Sequence, residues 1–271
     1  MGYKAVFCDL GGTLLDDAKN VSSKAKEIVG RYVDEGGIFI INTGGAHVTA
    51  QKYAKQLPIN HQKISVISLQ GAMIKDRDGV VLHTAKIDNA VAVEIIDELL
   101  LRGLYVQAHD EEVVLVNEYD EESKDYQKKS DVTIKAVGNV AQYLKETGVC
   151  PLKIFAPIQP SDEDEYLKAF EKYRARGVNF RVGKERFLEF VSTSAGKANG
   201  MKKVCSIYGI NVCDVMAIGD NANDEDAVEV AGFGVAVQNA KETVKSVASY
   251  VCESNNDDGA VKTIEKYCLL C

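Results

Sequence analysis

Four short polar segments, each following a run of apolar residues, carry most of the chemistry this chain can offer. They read Asp9-Leu10-Gly11-Gly12-Thr13, Asn42-Thr43-Gly44-Gly45, Gln70-Gly71, and Gly219-Asp220-Asn221-Ala222-Asn223-Asp224. Taken singly, each has an ordinary explanation as a turn, a helix cap or first-turn charge. Taken together, they supply carboxylates, a hydroxyl and several backbone N–H groups. Paired carboxylates suit Mg²⁺, which keeps several waters and bridges a protein carboxylate to a phosphate oxygen. Gly-rich turns at helix starts expose N–H donors that suit the phosphate itself. Lys197, within Ser194-Ala195-Gly196-Lys197-Ala198-Asn199-Gly200 at the start of a helical stretch, would complete the charge balance, although an isolated lysine is more often a surface residue.

The elements that must position these residues follow from periodicity. Apolar runs rich in Val, Ile and Phe alternate with longer amphipathic stretches, the pattern of βαβ units around a buried parallel sheet. Strands are expected at Ala5-Val6-Phe7-Cys8, Ile38 to Ile41, Ser65 to Leu69, Val215 to Ile218, Phe233 to Val237 and Tyr250 to Cys252. A helix is expected over 22–35, with Ala25, Ile28, Val29, Tyr32 and Val33 on one face. In open parallel sheets ligands bind beyond the carboxyl ends of the strands, where the four polar segments fall. The middle of the chain alternates polar and apolar residues, as in Val113 to Val116, Lys153 to Phe155 and Phe187 to Phe190, interleaved with helices near 89–102 and 162–175. Alternation predicts an antiparallel sheet with one solvated face. The expected fold is therefore α/β: a doubly wound, Rossmann-like parallel sheet formed by 1–83 and 189–271, with an α+β domain over 84–188 inserted into it.

Composition narrows the function classes. The chain has 271 residues, 46% hydrophobic and 27% charged, ordinary for a globular protein. Thirty-two basic against forty acidic residues leave a formal charge of −8, and no local basic cluster offers a phosphate backbone a landing site. Nucleic acid is a poor partner on that ground. No signal-like leader and no run of 18 apolar residues is present, so a soluble, cytoplasmic chain without a membrane partner is expected. The odd count of seven Cys fits reduced thiols better than a disulfide framework. Cys268-Leu-Leu-Cys271 is a single C-x-x-C without a second ligand pair for zinc. Lys197 is followed by Ala198, and Val191 stands where a nucleotide P-loop needs its first Gly. Gly232-Phe233-Gly234 is followed by Val237 rather than the third Gly of a dinucleotide fingerprint. Asp220 to Asp226 lacks the Gly and distal Glu of an EF-hand loop. No Gly-x-Ser-x-Gly elbow occurs.

With these motifs in place, the chain resembles the haloacid dehalogenase superfamily, in its Cof-type branch with a class IIB cap. The resemblance covers essentially the whole sequence. It is most specific in the final third, at Phe187-Leu188-Glu189, Lys197, Val215 to Ala227, Ala231 to Val237 and Asn239-Ala240. It implies that Asp9 is a nucleophile accepting a phosphoryl group, that Thr43 and the N–H of Gly44 hold its oxygens, and that Lys197 neutralises charge on both. It further implies a Mg²⁺ ion held by Asp9, the backbone carbonyl of Gly11 and Asp220, with Thr13, Asn223 and Asp224 supporting. The inserted domain would line the specificity pocket; His47, His83 and His109 are weak candidates there.

Three positions depart from the family pattern. Its first motif reads Asp-x-Asp-Gly-Thr, and here the second Asp, the usual general acid and base, is Gly11. The second motif commonly ends Thr-Gly-Arg, and here ends Thr43-Gly44-Gly45. The third strand is commonly followed by Asn-Gly-Ala, and here by Gln70-Gly71-Ala72. Losing a positioned acid and base removes about 10² to 10⁴ in rate. The resulting expectation is a slow Mg²⁺-dependent phosphatase of small phosphorylated metabolites such as sugar phosphates. The alternative is a non-catalytic phosphometabolite-binding protein, and a phosphonate-cleaving enzyme is a distant third.

Overall fold

Every residue of Ala5–Cys8 and Val215–Gly219 is buried, which a strand covered on both faces requires. The computed structural model, which describes residues 2–111, 113–183 and 187–269, places these two strands side by side. In chain order its strands are β1 (Ala5–Cys8), β2 (Ile38–Asn42), β3 (Val66–Ser68), β4 (Met73–Lys75), β5 (Val81–Thr84), β6 (Gln107–Asp110), β7 (Val113–Val116), β8 (Thr133–Ala136), β9 (Lys153–Pro157), β10 (Val178–Val182), β11 (Phe187–Ser192), β12 (Val215–Gly219), β13 (Phe233–Val237) and β14 (Tyr250–Cys252). They form an eight-stranded sheet, ordered β14-β13-β12-β1-β2-β3-β4-β5, and a six-stranded sheet, ordered β10-β11-β9-β6-β7-β8.

The chain divides into two compact units. The first contains residues up to Gly45, Ala50–His83 and everything from Gly196 onward. From β14 through to β3 its strands run parallel, and the β3–β4 pair is antiparallel. Alternate residues feed two cores. Val6, Cys8, Phe39, Ile41, Met216 and Ile218 pack with Ile28, Val29 and Tyr32 of the helix Ser23–Asp34. Ala5, Phe7, Ile40, Val215 and Ala217 pack with Met201, Val204 and Cys205 of the helix Lys197–Tyr208. The sheet is thus doubly wound, with helices on both faces. The strand order reverses at β1, whose neighbours are β2 on one side and β12 on the other. That switch opens a crevice at the carboxyl ends of all three.

The second unit comprises Ala46–Thr49 and Thr84–Ala195. One face of its sheet buries Ala108, Leu115, Ile154, Ala156, Leu188 and Phe190 against Val91, Ile95, Leu144, Tyr166 and Phe170 of its helices. The other face carries Gln107, His109, Lys153 and Glu189. The antiparallel expectation needs one correction: β7 and β8 pair in parallel, while β6, β9, β10 and β11 pair antiparallel. A second correction concerns the boundary. The unit extends to Ala195 rather than 188, because β11 pairs along its length with β9 and β10. Two short strands, β4 and β5, precede the insertion, and apolar patterning does not mark them. Among the described residues no helix is long and apolar enough to cross a membrane. Cys271, and with it the end of the C-x-x-C segment, lies outside the described residues.

Candidate active site

Asp9 leaves the last residue of β1, and its N–H donates to the carbonyl of Ile218 at 3.0 Å, extending the β1–β12 ladder by one rung. Its side chain is therefore delivered to the crevice by two fully buried strands. Asp220 follows β12 directly and is 3% exposed. Asp224 closes the turn behind it: its Oδ2 accepts from the N–H groups of Asp220 (3.1 Å) and Asn221 (3.0 Å). The turn packs so tightly that a Cβ on Gly219 would lie 2.2 Å from Cβ of Asp224. Asp9, Asp220 and Asp224 each present an oxygen within 4.8 Å of the others.

Lys197 enters the cluster from the first turn of the helix Lys197–Tyr208 and is 1% exposed. Its Nζ donates to Asp9 Oδ1 and to Asp224 Oδ1, both at 2.5 Å. Two features hold that helix start in place. Asn42 Nδ2, at the end of β2, donates to the Lys197 carbonyl at 3.1 Å, and the N–H of Gly196 donates to the Gln70 carbonyl at 2.7 Å. The backbones meet closely enough that a Cβ on Gly71 would fall 2.1 Å from the Gly196 carbonyl oxygen. Glycine is required there on two counts, since Gly71 also has φ +82°.

Thr43 and Gly44 follow β2. The Thr43 N–H donates to Ile67 at 2.9 Å, and its hydroxyl accepts from the N–H of Gly45 at 3.2 Å. Thr13 is 1% exposed and donates to Asp220 Oδ1 at 3.2 Å. Asn223 Nδ2 donates to Gln70 Oε1 at 3.2 Å. The structure therefore brings Asp9, Lys197, Asp220, Asp224 and Thr13 into one bonded network. It sets Thr43, Gly44 and Asn223 on the loops around them, with Gly11 in the loop that links Asp9 to Thr13. The carboxylate cluster includes no histidine. His109 is buried in the second unit, where desolvation and the Lys153 ammonium push its imidazole down to about 3. His83 is partly buried in β5, where desolvation and Lys203 lower its pKa. His47 opens the helix His47–Ala54.

The electrostatics favour a cation. Burial raises the Asp9 carboxyl to about 7 against the pull of Lys197, with Asp224 and Asp220 adding to the rise. Burial opposes the charge of Lys197, but Asp224 and Asp9 outweigh it and hold the ammonium above its usual range. Three carboxyl groups against one ammonium leave this buried cluster with an excess of acidic groups. A divalent ion with a preference for oxygen ligands neutralises that excess, so the donor set fits a hard metal.

Three residues that the sequence reading names without assigning a role also shape the site. Asn42 fixes the backbone of Lys197. Asn239 Nδ2 donates to the Gly12 carbonyl at 2.7 Å and pins the loop after Asp9. Gln70 is 4% exposed, with its backbone in the left-handed region at φ +61°, and its amide lies so near Gly44 that a Cβ there would be 2.5 Å from Gln70 Nε2. The signal for Asn42 is a polar residue that ends an otherwise apolar strand.

A family model described as haloacid dehalogenase-like hydrolase matches residues 6–264. The 5-amino-6-(5-phospho-D-ribitylamino)uracil phosphatase YwtE of Bacillus subtilis (strain 168) is 27% identical over 286 aligned residues, covering 97% of each chain. A haloacid dehalogenase-like hydrolase structure from B. subtilis superposes with a TM-score of 0.85 at 24% identity, covering 97% of this chain and 99% of that one. The HAD subclass IIB sugar phosphatase BT4131 gives 0.82 at 20% identity, covering 97% and 98%.

Proposed function

The chain belongs to the haloacid dehalogenase-like hydrolase family, and from that premise we propose that it is a Mg²⁺-dependent phosphatase of small phosphorylated metabolites, working through an aspartyl phosphate on Asp9. At the level of reaction class it is a phosphoric monoester hydrolase. The observation that carries the finer reading is the convergence of Asp9, Asp220 and Asp224 at the strand-order switch, with Asp9 and Asp224 bonded to Lys197. Asp9, Asp220 and the carbonyl of Gly11 would hold the ion, which supplies Lewis-acid charge neutralisation of phosphate oxygens when bound.

An Asp9 oxygen attacks phosphorus, forming a covalent intermediate that splits transfer to water into two easier displacements. Lys197, already bonded to Asp9 Oδ1, offsets the charge that nucleophile and phosphoryl group bring together. The Thr43 hydroxyl and the Gly44 N–H bind the phosphoryl oxygens. Thr13 and Asp224 act indirectly, the first by orienting Asp220 and the second by closing its turn and holding the lysine. Asn223 braces Gln70 over the Gly44 loop. The second unit is the cap that selects among small phosphorylated metabolites. Gly11 slows turnover by about 10² to 10⁴ relative to a site with a positioned acid and base.

Phosphate release from a panel of aryl and sugar phosphates, with Mg²⁺ and with chelator, tests this reading. Multiple turnovers that stop on chelation, and that fall by about 10³-fold or more in Asp9→Asn, are expected. Gly11 also motivates a second reading, a non-catalytic protein that binds the same metabolites. Stoichiometric calorimetric binding without any release in the panel would select it.

A further inference from the structure

The loop from Asp9 to Thr13 has one position that can accept a further side chain without rearrangement. Leu10 is buried, Gly12 sits at φ +92°, and Thr13 is committed to Asp220. Gly11 differs from all three. Its φ is one that any residue adopts, and a Cβ built on it meets no heavy atom within 4 Å. Two residues beyond the nucleophile, the loop therefore leaves open space where nothing in the backbone demands it.

The ionisable groups of the carboxylate cluster are engaged. Lys197 donates hydrogen bonds to Asp9 and Asp224. Asp224 accepts from two backbone N–H groups as well, and Asp220 accepts from Thr13. When Asp9 attacks, the new bond joins its oxygen to phosphorus, the bond from phosphorus to the leaving oxygen breaks, and the electron pair departs with that oxygen. An alkoxide needs a proton at that moment. A carboxylate, an enolate, an acidic phenolate or a second phosphate does not. In the second step water attacks phosphorus, the pair returns to Asp9 as a carboxylate, itself a stable anion, and the protons of water leave with the phosphate.

We propose that this site takes phosphoryl donors whose leaving group departs as a stable anion, namely acyl, enol and acidic aryl phosphates and phosphoric anhydrides, in preference to simple alkyl esters. Resting on the phosphatase reading above, this preference narrows the substrate by its leaving group rather than by its shape. The vacancy beside Gly11 is its structural origin.

The test compares kcat/KM for dinitrophenyl, nitrophenyl and phenyl phosphate, with acetyl phosphate and glycerol phosphate at the two extremes, in the full-length protein with Mg²⁺. Rates should fall steeply as the leaving group becomes more basic. Gly11→Asp should raise the glycerol phosphate rate by about 10² to 10⁴-fold and the dinitrophenyl phosphate rate by less than about tenfold. Gly11→Asn, of equal size and without a proton to give, should produce no such selective gain. A wild-type rate independent of leaving-group basicity, or a gain in Gly11→Asp that is uniform across donors, overturns the preference while leaving the phosphatase reading intact. Consumption of no donor at all, acetyl phosphate included, overturns both. Should Gly11→Asp fail to fold, the wild-type series decides alone.

Discussion

Asp9 is held in a conflict that either a proton or a bound metal ion relieves. Burial raises its carboxyl from 3.8 to about 7, so the native state grips that proton more tightly than the unfolded chain does. The sign of the linkage follows: metal-free stability falls as pH rises from about 4 through about 7, and levels off above that. Mg²⁺ competes with the proton, so its stabilising effect grows over the same window. The expected result is a larger Mg²⁺-induced rise in thermal midpoint at about pH 8 than at about pH 5, with most of the difference lost in Asp9→Asn. Equal shifts at both pH values count against a metal at Asp9. The residues behind this behaviour were legible in sequence because Asp9 and Asp220 each stand one place beyond an unbroken apolar run. Gln70 was not legible in the same way. Its left-handed backbone and its packing over Gly44 depend on a loop from another strand, and no local pattern carries that information.

At the scale of elements, one face of the second sheet sets a buried ion pair beside an aromatic cluster of His109, Tyr126, Phe155 and Phe187. Lys153 of β9 and Glu189 of β11 pair at 2.6 Å, with side chains 7% and 16% exposed, and Arg181 of β10 reaches the other Glu189 oxygen at 3.4 Å. These two cations overcome burial and keep Glu189 below the usual carboxylate range. Removing one member of such a pair strands the other, which costs about 3–5 kcal/mol, whereas replacing both by apolar residues of similar volume is often neutral or stabilising. Urea unfolding of Glu189→Ala should show the full loss, and the double variant Lys153→Met with Glu189→Leu should recover most of it. A double variant no better than the single would mean that the charges themselves organise the sheet. The same strands explain what periodicity missed. Residues of β11 alternate between intermediate and buried, a pattern already present in its sequence. By contrast β8, with three of four residues exposed, has no apolar face to announce it, and its parallel pairing with β7 is a matter of topology.

For the whole molecule, the cores of the two units draw on separate sets of residues. Val6, Phe39 and Ile218 belong to the first, and Ile95, Ile154 and Phe190 to the second. The insertion is readable because a change from continuous to alternating apolar runs is a change of sheet type, whereas its far boundary at 188 cuts through β11, which runs on to Ser192. Every candidate metal ligand lies in the first unit. A ligand that binds only the native form stabilises by mass action, by about 2.7 kcal/mol at a hundredfold excess over Kd, and that gain belongs to whichever cooperative unit must open to release it. Hydrogen exchange with saturating Mg²⁺ should therefore slow in β1, β2 and β12 by about 10²-fold and change little in β6, β9 and β11. Uniform slowing across both sheets would show instead that the chain opens as a single cooperative body, so that the ion stabilises the second unit through the first.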